Sequence, residues 1–309
     1  MASSLIHQRP CKDGHAPGTR ARTPRLPLPA QMTGPSLEQM VNAAIGAALA
    51  GGQAIMEVYA GSFAVEWKAD RSPLTQADRD SHHAIEQALA TTGLPIMSEE
   101  GPFIPMAQRQ AWPYYWLVDP LDGTKEFVAR NDEFAVCIAL MRSDTTTNTP
   151  LGNASPLVGV IYGPVQDLLY FAWEGGGAWR QQHAATQGPV PAYERAAMSL
   201  RLPLAHEPRA YSILASRSHR SPETAAFIQR KEEEHGTVTL AFIGSALKFG
   251  RMAEGAADAY PRYAPTMEWD TAAGQIICTE AGRQLLDVTT NAPLRYNKQE
   301  PVNDWFTVQ

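Results

Sequence analysis

The chain has 309 residues, 44% of them hydrophobic and 19% charged, which is typical of a globular protein with two domains or one large one. Its formal net charge of -6 excludes a global basic field that recruits nucleic acid, so an anionic substrate would need local positive charge or a metal ion. No apolar run approaches the roughly 18 residues of a membrane-spanning helix. Cys137 and Cys278 fall in apolar runs, which favours buried, reduced thiols and a reducing compartment.

Residues 1–34 are rich in Arg, Pro, Gly and Ser and show little periodicity. We therefore predict a disordered N-terminal extension. A secretory signal is not expected, because the segment lacks a continuous apolar core. An Arg-rich transit peptide and a start of translation at Met32 remain open alternatives.

The first predicted helix begins after Ser36 and runs to about Tyr59. Gln39 is placed for a capping box with Ser36, and apolar residues recur at helical spacing along one face. The helix presents a continuous apolar stripe, so we expect it to pack on the core.

The second predicted helix covers about Gln76 to Thr91 and follows a polar loop over residues 68–75. Thr75 is a suitable N-cap residue. Asp78 lies in the first turn, where its negative charge interacts favourably with the helix dipole. From the pattern alone, this capping role is the favoured interpretation of Asp78.

The middle of the chain contains short apolar, β-prone runs separated by turns. These runs are Ile96–Ser98, Tyr114–Val118, Phe134–Met141, Val158–Tyr162 and Leu168–Trp173. Their succession predicts an antiparallel sheet covered by the two early helices, with a long hairpin loop over residues 143–156.

The remainder of the chain alternates between predicted strands and helices. Residues 181–209 are polar and are expected to hold one edge strand. The strands are Ser212–Ala215, Val238–Phe242 and Ala257–Tyr260, and the helices are Pro222–Glu234, Ala246–Glu254 with Ser245 as its N-cap, and Trp269–Ala281. This alternation predicts an α/β second half.

A tight turn follows the strand that ends near Val118. It carries carboxylates at Asp119 and Asp122 and a hydroxyl at Thr124. Two carboxylates three residues apart on one turn repel each other unless a cation or a shared proton lies between them. Oxygen ligands favour a hard cation such as Mg²⁺ over zinc. Asp, Pro and Gly also dominate ordinary turns, so a plain turn is the equal alternative.

Two further acidic motifs accompany this turn, Ser98-Glu99-Glu100 and Trp269–Gly274, which contains Asp270. Each is weak alone. In this order and at these separations, the three motifs resemble those of the inositol monophosphatase superfamily of magnesium-dependent, lithium-sensitive phosphatases, over roughly residues 36–309.

Other segments make the chain most similar to the bacterial 3'(2'),5'-bisphosphate nucleotidase branch, which serves sulfate assimilation. They are Lys125–Phe127, Ser216–His219 and Gly244–Lys248. The resemblance implies a layered αβαβα sandwich, mixing α+β and α/β architecture. It also implies an α+β metal-binding half at residues 35–178 and an α/β half at residues 179–309, with the active site between them.

The resemblance also implies two Mg²⁺ ions, with a third, weakly held ion near Glu99 left open. The implied ligands are Glu99, Asp119, the backbone carbonyl of Leu121, Asp122 and Asp270. Asp119 would bridge the two ions, with Glu99 and Leu121 on the side of the attacking water and the other two carboxylates on the side of the leaving group. Calcium, which fits an octahedral magnesium site poorly, is expected to inhibit, as is lithium.

Catalysis is assigned by the resemblance to Thr124 and Asp78. Thr124 would accept a hydrogen bond from the attacking water and donate its own hydrogen bond to Asp78. Because Asp270 lies near a helix start, backbone N–H groups would point at the phosphate.

Substrate contacts are implied for the metal-site residues Glu99, Asp122, Gly123, Thr124 and Asp270. A second phosphate requires positive charge away from the metal ions, for which the candidates are Lys248 and Arg262, with His219 and Ser245 contacting nucleotide or phosphate. The alternatives are a solvated lysine at Lys248, a surface residue at Arg262 and a helix-capping residue at His219.

The implied reaction is hydrolysis of the 3'-phosphate of adenosine 3',5'-bisphosphate to AMP and phosphate, with the 3'-phosphorylated sulfonucleotide as a further substrate. The alternatives are an inositol or other sugar phosphatase of the same superfamily and a non-catalytic nucleotide sensor. We expect a small nucleotide as partner, no nucleic acid, and a cytoplasmic location. Peripheral association with the cytoplasmic face of the inner membrane and the choice between monomer and homodimer remain open.

Overall fold

The structure is a computed structural model that describes residues 36–68, 73–144, 152–215 and 221–309. The predicted N-terminal extension and His219 lie outside the described residues, as do residues 145–151 of the predicted hairpin loop. The described helices are α1 Leu37–Tyr59, α2 Gln76–Leu89, α3 Met106–Arg109, α4 Thr124–Val128, α5 Ala192–Ala197, α6 Pro222–His235, α7 Leu247–Glu254 and α8 Glu268–Glu280.

Sixteen short strands accompany these helices in the described part of the chain. They are β1 Val65–Trp67, β2 Pro73–Thr75, β3 Ile96–Ser98, β4 Tyr114–Asp122, β5 Ala135–Ser143, β6 Ala154–Gly163, β7 Leu168–Trp173, β8 Gly177–Gln182, β9 Leu200–Arg201, β10 Tyr211–Ala215, β11 Val238–Phe242, β12 Tyr260–Arg262, β13 Thr266–Met267, β14 Leu285–Asp287, β15 Val302–Asn303 and β16 Phe306–Val308. The predicted boundary between residues 178 and 179 falls inside β8, and the division into two halves stays a prediction.

Helix α1 begins with the predicted capping box. The backbone N–H of Ser36 donates to Gln39 Oε1 at 2.6 Å, and the backbone N–H of Gln39 donates to Ser36 Oγ at 3.2 Å. By length and composition alone α1 could cross a membrane, contrary to the prediction from apolar runs. In the fold it packs against α2 and the sheet, and 44% of its most apolar window is buried.

A seven-stranded sheet in the order β3-β4-β5-β6-β7-β8-β9 forms the centre of the molecule. Its neighbouring strands are antiparallel, as predicted, except that β3 and β4 are parallel. The sequence prediction missed this pair because residues 99–113 form a crossover rather than a hairpin, and parallel neighbours need such a connection.

The elements stack in five layers. One apolar cluster lies between α1, α2 and the seven-stranded sheet, and a second joins the other face of that sheet to α7, α8 and the C-terminal strands. A third, smaller cluster lies against α6 and includes Ile213 and Phe227. The predicted layered αβαβα sandwich is confirmed.

The C-terminal part differs from the predicted α/β alternation. Strands β10 and β11 are parallel and joined by α6, as that pattern requires. The sheet β12-β16-β14 is instead antiparallel and uses the last residues of the chain. The predicted strand Ala257–Tyr260 is displaced to β12, which pairs with β16.

The start of α7 is also a correction. Its N-cap is Ala246 rather than Ser245, which lies in the left-handed region at φ 51°. The Ser245 hydroxyl nevertheless accepts a hydrogen bond from the backbone N–H of Leu247 at 3.3 Å, so it satisfies a free donor at the helix start. The predicted capping chemistry is present with the helix boundary shifted by one residue.

Helix α8 lies unusually close to the sheet at Gly159 of β6. A Cβ atom at this position would lie 2.5 Å from the carbonyl oxygen of Ala273 and would overlap the side chain of Ile276. Only glycine permits this approach, because the Ala273 carbonyl is part of the helix backbone and cannot move away without displacing its whole turn of α8. The N-terminal turns of α8 are thereby held against the sheet.

We expect Gly159→Ala to destabilise the protein by about 1–3 kcal/mol, the usual cost of overpacking a core. The matched control is Gly46→Ala in α1, where a Cβ atom would meet nothing within 4 Å. This control should be neutral or stabilise by up to about 1 kcal/mol, because alanine reduces the freedom of the unfolded chain. Urea unfolding of both variants measures the difference, and equal stabilities would contradict the close approach.

Candidate active site

Two acidic residues meet because β3 and β4 are parallel. In that register Ser98 pairs with Val118, so the next residues, Glu99 just after β3 and Asp119 within β4, lie side by side. The backbone N–H of Glu99 donates to the carbonyl of Val118 at 3.1 Å, which continues the pairing into the turn. The motifs at residues 98–100 and 119–124 therefore share one edge of the sheet.

A β-bulge places the second aspartate of the turn. Asp119 pairs with Cys137 and Asp122 with Ala135, so three steps along β4 match two steps along β5. The extra residue bends β4 and re-aims the side chains that follow it. Gly123 then adopts φ 93° and begins α4.

Helix α8 provides the carboxylate that lies beside Glu99 and Asp119. Asp270 lies in its first turn, and one carboxylate oxygen accepts from the backbone N–H of Met267 at 2.8 Å. One ligand oxygen each from Glu99, Asp119 and Asp270 lies within 4.8 Å of the others. Residues about 150 positions apart are thus brought to one point, while Asp122 flanks this trio.

Burial and mutual repulsion perturb these carboxyl groups. Burial raises the pKa of Asp119 well above its ordinary value, and the charges of Glu99, Asp122 and Asp270 raise it further. Burial and the negative charge of Asp122 likewise raise the pKa of Asp270 well above its ordinary value. Burial raises the pKa of Asp122 to about 6, although Lys248 and the Ala246 N–H oppose the shift.

This donor set fits a hard divalent cation. Carboxylate oxygens are the ligands that Mg²⁺ and Ca²⁺ prefer, and a cation removes the repulsion that raises the pKa values of Asp119 and Asp270. The backbone carbonyl of Leu121 lies on the same turn, and its oxygen has a second lone pair for a cation besides the one that faces the Thr124 hydroxyl at 3.3 Å. The residues present therefore suit a hard divalent cation that binds oxygen ligands.

Lys68 is a charged neighbour of the site that the sequence analysis missed. Its ammonium lies 2.8 Å from Glu99 Oε1 and 2.5 Å from Glu100 Oε1. Burial lowers the pKa of Lys68, but the two glutamates outweigh burial and raise it overall. A lysine in a polar loop gives no periodic signal. Only its position in the loop that leads to Thr75 and Asp78 could have suggested this contact.

The predicted catalytic pair lies within hydrogen-bonding distance. The Thr124 hydroxyl donates to Asp78 Oδ1 at 3.1 Å. The other oxygen of Asp78 accepts from both the backbone N–H and the hydroxyl of Thr75, each at 2.7 Å. Asp78 is 2% exposed, and burial raises its pKa, while the two threonines oppose the shift. Its helix-capping role and its contact with Thr124 coexist.

A cleft adjoins the acidic cluster at Asp122 and Asp270, with about 690 Å³ of space that is partly open to solvent. It brings together most of the predicted substrate-binding residues. The cleft is lined by the predicted Asp122, Gly123, Ser245, Lys248, Arg262 and Asp270, and by residues that the prediction did not name, among them Lys125, Glu126, Tyr260 and Thr266. His219 lies outside the described residues, so its predicted contact stays a prediction.

Two cations in this cleft are not solvated surface residues. Lys248 is 6% exposed, and its ammonium donates to the carbonyls of Ser245 and Ile243 at 2.6 and 3.3 Å. Burial lowers its pKa to about 8, with Asp122 opposing and Arg262 reinforcing the shift. The buried Nε of Arg262 has no hydrogen-bond partner among the described residues. Both groups are suited to an anionic group in the cleft.

Known proteins resemble the chain along most of its length. Residues 36–304 match the model of the inositol monophosphatase family. The 3'(2'),5'-bisphosphate nucleotidase CysQ of Escherichia coli (strain K12) is 40% identical over 262 residues, 83% of this chain and 94% of that protein. The crystal structure of CysQ from Bacteroides thetaiotaomicron, at 44% identity, superposes with a TM-score of 0.79 and covers 88% of this chain and 97% of that one.

A more distant solved structure supports the fold alone. The Thermotoga maritima IMPase is 22% identical and superposes with a TM-score of 0.65 over 88% of this chain and 92% of that one.

We expect the stabilisation by Mg²⁺ to grow with pH. Folding raises the pKa of Asp122 from 3.8 to about 6, and those of Asp119 and Asp270 also rise, so the folded state binds protons more tightly than the unfolded state. The metal-free fold therefore loses stability as pH rises from about 4 through 6 and beyond, and Mg²⁺ binding to ionised carboxylates restores it. The melting temperature with and without MgCl2, at about pH 5 and about pH 8, measures this linkage.

Sodium chloride at matched ionic strength is the control, because it screens charge without occupying the site. An equal rise in melting temperature at both pH values would contradict a metal site built from these carboxyl groups.

Proposed function

The chain belongs to the inositol monophosphatase family, and on that basis we propose that it is a Mg²⁺-dependent 3'(2'),5'-bisphosphate nucleotidase. It removes the 3'-phosphate of adenosine 3',5'-bisphosphate and yields AMP and phosphate. The 3'-phosphorylated sulfonucleotide is a second substrate. Two Mg²⁺ ions are proposed, held by Glu99, Asp119, Asp122, Asp270 and the carbonyl of Leu121.

One observation supports this proposal: Asp122 and Asp270, beside the other acidic residues, line the same cleft as two buried or half-buried cations. A phosphate monoester alone needs only the metal site. Lys248 and Arg262 place positive charge at a second position, where a substrate with two phosphates is bound better than one with a single phosphate. The similarity to nucleotidases named CysQ supports the same choice of substrate.

The chain's own side chains orient the attacking water and fix the direction of the hydrogen bonds around it. When bound, Mg²⁺ neutralises the phosphate, activates the attacking water and stabilises the leaving oxygen. The Thr124 hydroxyl donates its hydrogen bond to Asp78, so its lone pairs are available to accept a hydrogen bond from the attacking water. Asp78 is fixed by its two bonds from Thr75, and this keeps Thr124 in one rotamer.

The start of α8 orients the phosphate. Asp270 lies in its first turn, where the Glu268 N–H is taken by the Pro301 carbonyl and the following N–H groups carry partial positive charge suited to an anion. Gly159 allows α8 to lie close to the sheet, so the helix start stays near Asp119. In-line attack requires this fixed relation between the phosphate and the water beside Thr124.

The nearest alternative is a phosphatase for inositol monophosphate or another sugar phosphate. A phosphate-release panel tests the choice, with adenosine 3',5'-bisphosphate, the sulfonucleotide, inositol 1-phosphate and fructose 1,6-bisphosphate as substrates. We expect kcat/KM to be highest for the two nucleotides. Faster turnover of an inositol or sugar phosphate would overturn the nucleotidase assignment, and inertness towards every ester would favour a nucleotide sensor.

We propose a cytoplasmic location, which suits the buried, reduced Cys137 and Cys278. Peripheral membrane association gains no support from α1, because its apolar face packs on the core. We expect the protein to be either a monomer or a homodimer.

We expect Asp122→Asn to retain the fold and lose at least about 100-fold in kcat, more than the usual effect of residues that only support metal ligands. The asparagine is isosteric and can still accept the hydrogen bond from the Ala246 N–H, so packing is preserved. It lacks the negative charge that holds a divalent cation.

The control for this variant is Asp80→Asn on α2, whose carboxylate accepts an exposed hydrogen bond from Gln76. Steady-state phosphate release and circular dichroism are measured for both proteins. An Asp122→Asn protein that keeps most of its activity would contradict the metal assignment.

We expect Lys248→Met to lower kcat/KM for adenosine 3',5'-bisphosphate by about 10–100-fold, the effect of losing a hydrogen bond from a charged donor. Activity on 3'-AMP, which lacks the second phosphate, should change little. Methionine fills the buried space of Lys248 without its charge.

The matched control is Lys125→Met, which removes one charge from an exposed position in the same cleft. If both variants lose activity equally on both substrates, the role of Lys248 is general electrostatics and not recognition of the second phosphate.

A further inference from the structure

Helix α2 contacts the Asp119–Thr124 turn at two points. Asp78 accepts from Thr124, as described above. Three residues later, on the same helix face, the hydroxyl of Ser81 donates to the carbonyl oxygen of Pro120 at 2.8 Å. Ser81 is 0% exposed, so water does not compete for this bond.

The Pro120 carbonyl belongs to the same planar peptide unit as the N–H of Leu121, because the amide bond does not rotate freely. That N–H donates to Asp119 Oδ1 at 3.0 Å. This rigid peptide unit therefore accepts a hydrogen bond from Ser81 through its carbonyl oxygen and donates one to Asp119 through its N–H. Hydrogen bonds in such a chain polarise and strengthen each other in a buried environment.

This peptide unit lies in the β-bulge of β4, where the ladder to β5 is interrupted between Asp119 and Asp122. A buried carbonyl at a bulge must find a partner outside the ladder. Ser81 provides that partner from α2.

The Ser81 hydroxyl is itself confined by α1. A Cβ atom at Gly51 would lie 2.8 Å from Ser81 Oγ and 2.9 Å from Cγ1 of Ile85. The backbone of α1 thus passes directly over Ser81 and leaves little room for a different rotamer. Packing between the two N-terminal helices is transmitted to the turn.

We propose that Ser81 is a positioning residue for metal binding, which acts through the Pro120–Leu121 peptide to orient the carboxylate of Asp119. The inference rests on the proposed function, because it takes Asp119 as a metal ligand. It adds a residue of α2 that touches neither metal nor substrate and yet sets the affinity of the site for Mg²⁺.

A purely structural role makes a different prediction. If Ser81 only satisfies a buried carbonyl, Ser81→Ala lowers the free energy of unfolding and leaves Mg²⁺ affinity unchanged in the folded protein. If Ser81 orients Asp119, the affinity falls in protein that is fully folded.

The test is titration calorimetry of Mg²⁺ into the metal-free full chain, with urea unfolding measured in parallel. We expect Ser81→Ala to raise the Kd for Mg²⁺ about 10-fold, at the lower end of the effects of residues that support metal ligands. The matched control is Ser143→Ala, because Ser143 is also buried but its hydroxyl has no hydrogen-bond partner within the described ranges of the chain. Its Kd should equal that of the unmodified protein.

Ser81→Cys keeps the shape of the side chain with a weaker donor, and it decides the question if Ser81→Ala does not fold. Its Kd should lie between those of the unmodified protein and the expected alanine value. An unchanged Kd in a folded Ser81 variant, or an equal loss in Ser143→Ala, would overturn the proposal.

The measurement contains no nucleotide, so it separates this inference from the choice of substrate. A chain that binds Mg²⁺ but does not hydrolyse the bisphosphate would overturn the nucleotidase assignment, and a raised Kd in Ser81→Ala would still support the role of Ser81. A chain that binds no Mg²⁺ would overturn both.

Discussion

The repulsion between three crowded carboxylates, one buried and two partly buried, is the constraint on which the rest of this structure depends. Glu99, Asp119 and Asp270 approach within 4.8 Å, and two of them have strongly raised pKa values because burial and neighbouring charge oppose ionisation. Such a cluster costs folding free energy unless the surrounding fold holds it rigidly and a cation neutralises it. Each layer of the sandwich contributes to that rigidity.

The fold meets this constraint with elements from distant parts of the chain. A parallel strand pair aligns Glu99 with Asp119, a bulge redirects Asp122, and a tightly packed helix delivers Asp270. The early helices support the turn from the opposite side through Asp78 and Ser81. Helices that form the outer layer therefore also determine the geometry of the reaction site.

The resemblance to the inositol monophosphatase superfamily, carried by three motifs, predicted that Glu99, Asp119 and Asp270 meet, whereas periodicity and spacing alone did not. They did not predict Lys68, since an ion pair between a loop lysine and Glu99 has no periodic signal. The strands β14, β15 and β16 were missed because two or three residues are too few to show alternation. The parallel pairing of β3 also escaped prediction, because the chain order of strands does not reveal a crossover.

The two oxygens of Asp78 carry separate tasks. Oδ2 secures the first turn of α2 through Thr75, whereas Oδ1 accepts a hydrogen bond from the Thr124 hydroxyl. A substitution that removes the whole carboxylate consequently mixes a loss of helix stability with a loss of chemistry. Any mutational survey of this enzyme must correct the apparent catalytic contribution of Asp78 for the fraction of molecules that remain folded.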